Sequence, residues 1–205
     1  MTALRPSEAD LTVGLGTGVV GTRPLAVDLA RILGTEAVAD YRELPPGRRH
    51  YCLVPPVPAV AHLSSVSDGH LTTELGATLR DTLYALQHTA SQIEAAIGPT
   101  RPDPDGQVAQ DSGSISIVLP AAPALGQAGA SLAGAFCGGS LSLARTLAIE
   151  LKRQRIRVNT LVVDEEMPGV VASIATQLTA LMSMPGVTGQ EIYLADGLDS
   201  GRIRP

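Results

Sequence analysis

The sequence predicts an α/β protein with a doubly wound parallel sheet of about six strands. One observation carries this prediction: short apolar runs alternate with longer amphipathic segments. Such alternation calls for a parallel sheet covered by helices on both faces. The chain has 205 residues and is 44% hydrophobic, which is enough for one domain spanning residues 1–205. With one Phe, four Tyr and no Trp, its core must consist of Ala, Leu, Val and Ile.

In the first half, apolar runs predict three strands and hydrophobic spacing predicts two helices. A glycine-rich segment, 14–21, follows the first strand, Gly34 closes the first helix, and prolines stop the third strand. Leucines and isoleucines three and four residues apart indicate that the second helix is long and amphipathic, and Gly98-Pro99 ends it. The predicted strands are 11–15, 36–39 and 50–54, and the predicted helices are 24–33 and 71–97.

In the second half, a polar, proline-rich segment at 98–113 predicts a long loop and the most mobile part of the chain. Strand and helix patterns then alternate to the end. The predicted strands are 114–119, 156–163 and 190–195, and the predicted helices are 128–153 and 169–183.

Three stretches of the second half carry a resemblance to a known family. They are SLARTLAIELKRQRIRVNT at 142–160, VTGQEIYLADG at 187–197 and GSISIV at 113–118. In order and spacing they resemble the short-chain dehydrogenase/reductase (SDR) family, which implies a Rossmann-like fold. The family has one more strand-helix unit between its second strand and the strand placed here at 50–54. We therefore expect a sheet one strand narrower at the edge where a dinucleotide's adenosine would lie.

The resemblance also implies where catalytic groups should stand, and this chain departs from the family at each place. Counted from Glu150, the family's lysine position holds Cys137, its tyrosine position Ala133 and its serine position Pro120. No tyrosine or lysine lies between Gly113 and Leu151, so a slip in the alignment does not restore the site. Alanine and proline cannot transfer a proton, and a thiol cannot supply a fixed positive charge. We expect no catalytic residues here.

The cofactor turn is degenerate as well. Gly14, Gly16, Gly18 and Gly21 resemble a phosphate-binding turn, yet only Gly16 coincides with a family glycine when the following helix anchors the alignment. We expect no bound cofactor, and NAD(P) remains the alternative. Asp40 falls near the position at which NAD-preferring members hold ribose hydroxyls; the other interpretation is a solvated loop acid.

The family's further signatures are replaced too. Four residues at 55–58 stand for an Asn-Asn-Ala-Gly motif, Val163-Asp164 for Pro-Gly, and the substrate lid is cut to Glu165–Met167. Asp164, Glu165 and Glu166 form an acidic cluster that could serve as acid and base or hold a metal, although adjacent loop acids are usually only solvated. Cys137 is a nucleophile only if its pKa is lowered; otherwise it is a core residue. His50, His62, His70 and His88 lack metal-ligand spacing, so no metal site is expected.

Composition excludes several other function classes. A net charge of −5 without a basic stripe argues against nucleic-acid binding. No apolar run approaches the roughly 18 residues of a membrane helix, and the opening MTALRPSEAD has no signal-like apolar region. Cys52 and Cys137 offer no disulfide framework. We expect a cytoplasmic protein.

The best-preserved segments are those that the family uses for assembly. The helix around Ala130–Leu141 is rich in small residues that permit close helix approach, and the 187–197 segment keeps the family pattern of the closing strand. The leading hypothesis is a catalytically silent SDR-like subunit that oligomerises with itself or with an active SDR paralogue. The alternatives are a non-redox enzyme of polyketide or acyl-thioester type that reuses the pocket, and a residual NAD(P)-dependent oxidoreductase.

Overall fold

A computed structural model describes residues 17–59, 61–98 and 112–195. In these ranges six strands form one sheet in the order β2-β1-β3-β4-β5-β6, and every neighbouring pair is parallel. This confirms the predicted fold class. The strands are β1 Thr17–Val20, β2 Ala37–Val38, β3 His50–Leu53, β4 Gly113–Pro120, β5 Ile156–Val163 and β6 Glu191–Leu194.

Helices cover both faces of the sheet. One face carries α1 and α5, which bury Leu29 and Ile174 against Val19, Val118 and other strand residues. The other face carries α2 and α4, which bury a second apolar cluster against the same strands. The helices are α1 Pro24–Ile32, α2 Gly76–Ile97, α3 Ala121–Ala124, α4 Ser131–Glu150 and α5 Val170–Ser183, and a π-helical turn, His70–Leu75, leads into α2.

The two central strands form the best-buried part of the sheet. All eight residues of β5 are buried, as are seven of the eight in β4, because helices lie on both sides. β5 nevertheless carries a buried charge, Arg157, whose guanidinium donates hydrogen bonds to the carbonyls of Leu181, Met182 and Met184 at the end of α5. Arg157 thereby satisfies carbonyls that the helix leaves without partners and ties α5 to the sheet.

The narrow edge of the sheet agrees with the expected loss of one strand-helix unit. Between β2 and β3 the chain forms only a short 3₁₀ turn, Tyr41–Glu43, before it crosses the α2 face of β1. Leu44, on this crossover, is buried at 5% exposure, and Tyr51 of β3 is buried at 1%. A turn and two large side chains thus cover the face of β1.

The first described strand lies in a segment that the sequence predicts to be a turn. The predicted strand 11–15 is outside the described residues, and β1, Thr17–Val20, lies within the segment expected to be a glycine-rich turn. Gly18 is therefore a strand residue and not a turn residue. Gly14, Gly16 and most of the predicted loop at 98–113 also lie outside the described residues.

The α4 segment has the composition of a membrane helix, which the sequence analysis does not anticipate. By length and composition alone, Ser131–Gln154 is apolar enough to cross a membrane, with a mean hydropathy of 1.3. In the fold, however, Phe136 and Cys137 of this helix are fully buried against the sheet. Core helices of soluble folds pass the same test, so the segment is weak evidence for a membrane span.

Gly18 gives a direct test of the position of β1 beside β3. A Cβ at this position would lie 2.6 Å from Cδ1 of the buried Tyr51 ring. We expect Gly18→Ala to lower the free energy of unfolding by about 1–3 kcal/mol, because the ring has no space into which to move. Gly186→Ala is the control, since a Cβ there meets no atom within 4 Å. Equal urea midpoints for the two variants would contradict the position of β1.

Candidate functional site

The candidate site lies at the carboxyl edge of the sheet, where parallel strands end and where ligands of open α/β folds bind. Here β1 passes into α1 through only three residues, Gly21, Thr22 and Arg23. Gly21 packs so closely on β3 that a Cβ would lie 2.5 Å from the Val54 carbonyl oxygen. Pro24, the first residue of α1, has no N–H to offer a ligand. The turn is therefore shorter than a glycine-rich phosphate loop and offers fewer donors.

An ion pair crosses this edge. The Arg23 guanidinium, in the turn after β1, contacts the carboxylate of Glu165, in the loop after β5. The pair thus joins the loops after β1 and β5, two strands that are separated in the sheet by β3 and β4. Burial lowers the pKa of Arg23, whose side chain is only 18% exposed, and its Nη1 has no hydrogen-bond partner among the described residues. Two charged side chains thus contact each other at the carboxyl edge of the sheet.

The positions matched to the family's catalytic residues lie at the end of β4 and on α4. Pro120 ends β4, and Ala133 and Cys137 are one turn apart on α4, with exposures of 1% and 0%. Burial raises the pKa of the Cys137 thiol to about 11, against the smaller opposing effect of the Arg23 charge. Cys137 is thus a neutral thiol at physiological pH, as expected of a core residue and not of a nucleophile.

The acidic cluster after β5 does not form a paired acid and base. Asp164 accepts a hydrogen bond from the Glu166 backbone N–H at 3.1 Å, so its carboxylate shapes the loop. Glu165 is held by Arg23. Nor do the described residues contain a group of three His, Cys, Asp or Glu side chains that could hold a metal ion.

A cleft of about 400 Å³ opens at the narrow end of the same edge. It lies between the ends of β1, β2 and β3, and α2 forms its far wall. Its apolar lining includes Val20, Val54 and Pro55, and its polar lining includes Asp40 and Thr82. Its volume is within the range of small-molecule sites.

Two features of the cleft wall govern what it can bind. The Asp40 carboxylate accepts hydrogen bonds from the Arg42 backbone N–H at 2.9 Å and from its guanidinium at 3.0 Å, and the backbone bond is the main cause of a lowered Asp40 pKa. The Arg42 guanidinium in turn lies 4.7 Å from the centre of the Tyr41 ring. Thr82 is only 4% exposed, yet its hydroxyl has no hydrogen-bond partner among the described residues.

The histidines lie apart from this edge or from one another. His50, at the opposite end of β3, has Nδ1 2.9 Å from the Ser114 hydroxyl. His70 contacts Ser67 in the loop before α2, and the His88 ring packs against Tyr41 with ring centres 5.5 Å apart. His62 lies on the surface beside Gly129. They form no common site.

Comparisons with known proteins identify the fold. No family model and no curated protein matches the chain, but solved structures do. An SDR-family oxidoreductase from Burkholderia thailandensis superposes with a TM-score of 0.62 at 18% identity, covering 95% of this chain and 88% of that one. A second SDR-family protein gives 0.58 at 19%, covering 91% and 88%. The fold is therefore SDR-like.

A further match has a ligand in its structure. A 4-hydroxyisoleucine dehydrogenase, complexed with NADH and succinate, superposes with a TM-score of 0.56 at 15% identity, covering 73% of this chain and 69% of that one.

Sequence reasoning missed the two most informative residues, Arg23 and Thr82. Arg23 follows the predicted glycine-rich turn 14–21, so the glycine pattern does not single it out. Thr82 carries no sequence signal, since a threonine in an amphipathic helix is ordinary. Placing the strand at the apolar Val19-Val20 pair before Gly21 would have brought Arg23 into the turn.

The buried thiols give a test of the site. Burial raises the pKa of Cys52 to about 12, as it raises that of Cys137 to about 11. We expect both thiols of the folded protein to react with Ellman's reagent at least about 100-fold more slowly than free cysteine, because the thiolate is the reactive form. Both should react fully in denaturant, which serves as the control. Rapid labelling of one thiol that is lost in Cys137→Ala would show that Cys137 is an accessible nucleophile.

His50 gives a pH dependence of known sign. Burial, aided by Arg157 and Arg49, lowers its folded pKa to about 4 from 6.5. The unfolded chain therefore binds the proton first as pH falls, so stability is full above 6.5 and declines between 6.5 and 4. We expect this residue to account for up to about 3 kcal/mol of that loss. His50→Gln should remove this part of the decline in urea titrations, whereas the exposed His62→Gln should not; equal pH profiles for both variants would contradict the prediction.

Proposed function

We propose that this chain is a catalytically silent, SDR-like subunit that assembles with a second copy of itself or with an active SDR paralogue and supports that partner's structure or activity. The observation that carries the proposal is the Arg23–Glu165 pair, which joins the loops after β1 and β5 at the carboxyl edge. It occupies the edge at which a reaction centre of this fold would lie. Family membership is part of the proposal, because the solved structures define the fold.

The residues at that edge support a subunit without catalytic activity. Proton transfer needs a positioned group with a pKa near the working pH. Among the residues matched to the family's catalytic positions, Cys137 alone ionises, and burial raises its pKa to about 11. Glu165 is committed to Arg23. A non-redox enzyme that reuses the pocket would need the same ionisable groups free, so no observation favours that alternative. No cofactor is part of this proposal.

The face formed by α2 and α4 supports assembly. A groove of about 360 Å³ runs between these helices, and its lining includes Leu83, Leu86 and Leu147. Leu83, which lines this groove, is 44% exposed. On the same two helices Tyr84 is 47% and Ile149 77% exposed. A partner's helices would cover apolar side chains on this face.

Assembly is tested with a charge on this face. We expect the purified chain to be oligomeric by light scattering, alone or after mixing with an active SDR paralogue that carries the Tyr-x-x-x-Lys pair. Leu83→Asp should weaken that association at least about tenfold, because a charge buried in an interface is costly. Val27→Asp is the matched control, since Val27 is equally exposed, at 48%, but lies on α1 across the sheet.

Two outcomes would contradict the proposal. One is a chain that stays monomeric and changes neither the thermal stability nor the rate of any paralogue. The other is oxidation of NADH or NADPH by the isolated chain with a carbonyl substrate, which would make it an oxidoreductase.

A further inference from the structure

The outer face of α2 carries a cation, a neutral amide and an anion at regular intervals. Arg80, Gln87 and Glu94 stand seven residues apart in this helix, and all three are exposed. Residues seven apart lie on nearly the same face of an α-helix, about 10 Å from one another along its axis. The two charges therefore lie at equal distances on either side of Gln87 and have opposite signs.

Neither charge is strongly held within its own chain. The Arg80 guanidinium lies 3.9 Å from the carboxylate of the adjacent Asp81, and these side chains are 61% and 68% exposed, so the contact contributes little. Glu94 lines a depression together with Arg153 but forms no ion pair among the described residues. Arg80 and Glu94 of one chain cannot pair with each other, because the helix separates them by about 21 Å.

This arrangement of charges is complementary to itself. In a two-fold symmetric contact, the same surface of both copies meets, so two antiparallel helices place residues at equal distances before and after the axis opposite each other. With the axis at Gln87, Arg80 of each copy lies opposite Glu94 of the other. The two Gln87 amides meet at the axis, where each can donate to the other and accept from it. A parallel pairing would instead bring like charges together.

The apolar side chain between the charges agrees with the same axis. Leu83, which is 44% exposed, stands four positions before Gln87 and therefore lies opposite Ser91, four positions after it. Ser91 and Ala90 line the groove between α2 and α4, and such small side chains leave room for a leucine. Leu83 of each copy thus enters the groove of the other, which removes apolar surface from water.

We propose that α2 pairs with the α2 of a second copy of this chain, antiparallel about Gln87, and that two ion pairs between Arg80 and Glu94 of opposite copies fix the register. This inference rests on the assembly face of the proposed function and deepens it, because it names the partner as a second copy. It also gives the face a specificity, since a partner with a different order of charges leaves these pairs unmade.

Charge reversal in the full chain, measured by analytical ultracentrifugation, tests the pairing. Arg80→Glu and Glu94→Arg each place like charges across the axis twice, so each variant should self-associate at least about fivefold more weakly than the unmodified chain. Arg31→Glu is the control and should have no effect, because Arg31 is 73% exposed but lies on α1 across the sheet.

Mixing the two variants separates pairing between copies from an effect within one chain. In a mixed dimer, one copy carries only negative charges at the two positions and the other only positive charges. An equimolar mixture should therefore associate within about twofold of the unmodified chain, although neither variant does so alone. An absence of this rescue overturns the register.

Two further outcomes distinguish failure of this inference from failure of the proposed function. If Leu83→Asp weakens self-association while the charge variants do not, the face is an interface but the copies do not pair about Gln87. If the chain stays monomeric alone and yet forms a complex with an active SDR paralogue, the second copy is the wrong partner and the proposed subunit role stands.

Discussion

The three-residue turn between β1 and α1 is the constraint on which the carboxyl edge depends. Gly21 allows this turn because its missing Cβ leaves room for the Val54 carbonyl oxygen, and any larger residue would separate β1 from β3. The shortness of the turn places Arg23 where its guanidinium reaches the loop after β5. A longer, glycine-rich turn would hold backbone N–H groups at this point instead. The Arg23–Glu165 contact at the edge therefore follows from the length of one loop.

The Arg23–Glu165 contact also stabilises the edge without a ligand. A guanidinium this poorly exposed needs an anionic partner, and removal of one member of such a pair leaves an uncompensated charge. In the proposed silent subunit, Glu165 takes the role that a bound anion would play. Ala133 and Cys137 then need no ionisable chemistry, and both pack into the core at 0–1% exposure. Small residues at these positions suit helix packing, and that is the role the structure gives them.

The sequence predicted the architecture better than the site. Alternating periodicity was sufficient for the parallel sheet, and the second-half motifs placed β4, β5 and β6 to within a few residues, because all three follow strong apolar runs. Glycine type alone predicts a turn at Gly18. In the structure Gly18 lies in β1, where its missing Cβ makes room for Tyr51. The Arg23–Glu165 contact joins residues 142 positions apart, and no local pattern encodes such a pairing. Thr82 likewise has no local sequence signal, because only the fold shows that its hydroxyl is buried without a hydrogen-bond partner among the described residues.

The narrow sheet edge and the open cleft have one origin. With no helix after β2, the chain turns at once through Tyr41–Glu43 and crosses β1, so the end of α2 that carries Asp81 and Thr82 becomes the cleft's outer wall. A full strand-helix unit would place another layer at this position. The same short connection that leaves β2 as a two-residue edge strand thus brings α2, with Asp81 and Thr82, to the wall of the remaining space. The narrow sheet edge and the open cleft are two results of one short connection.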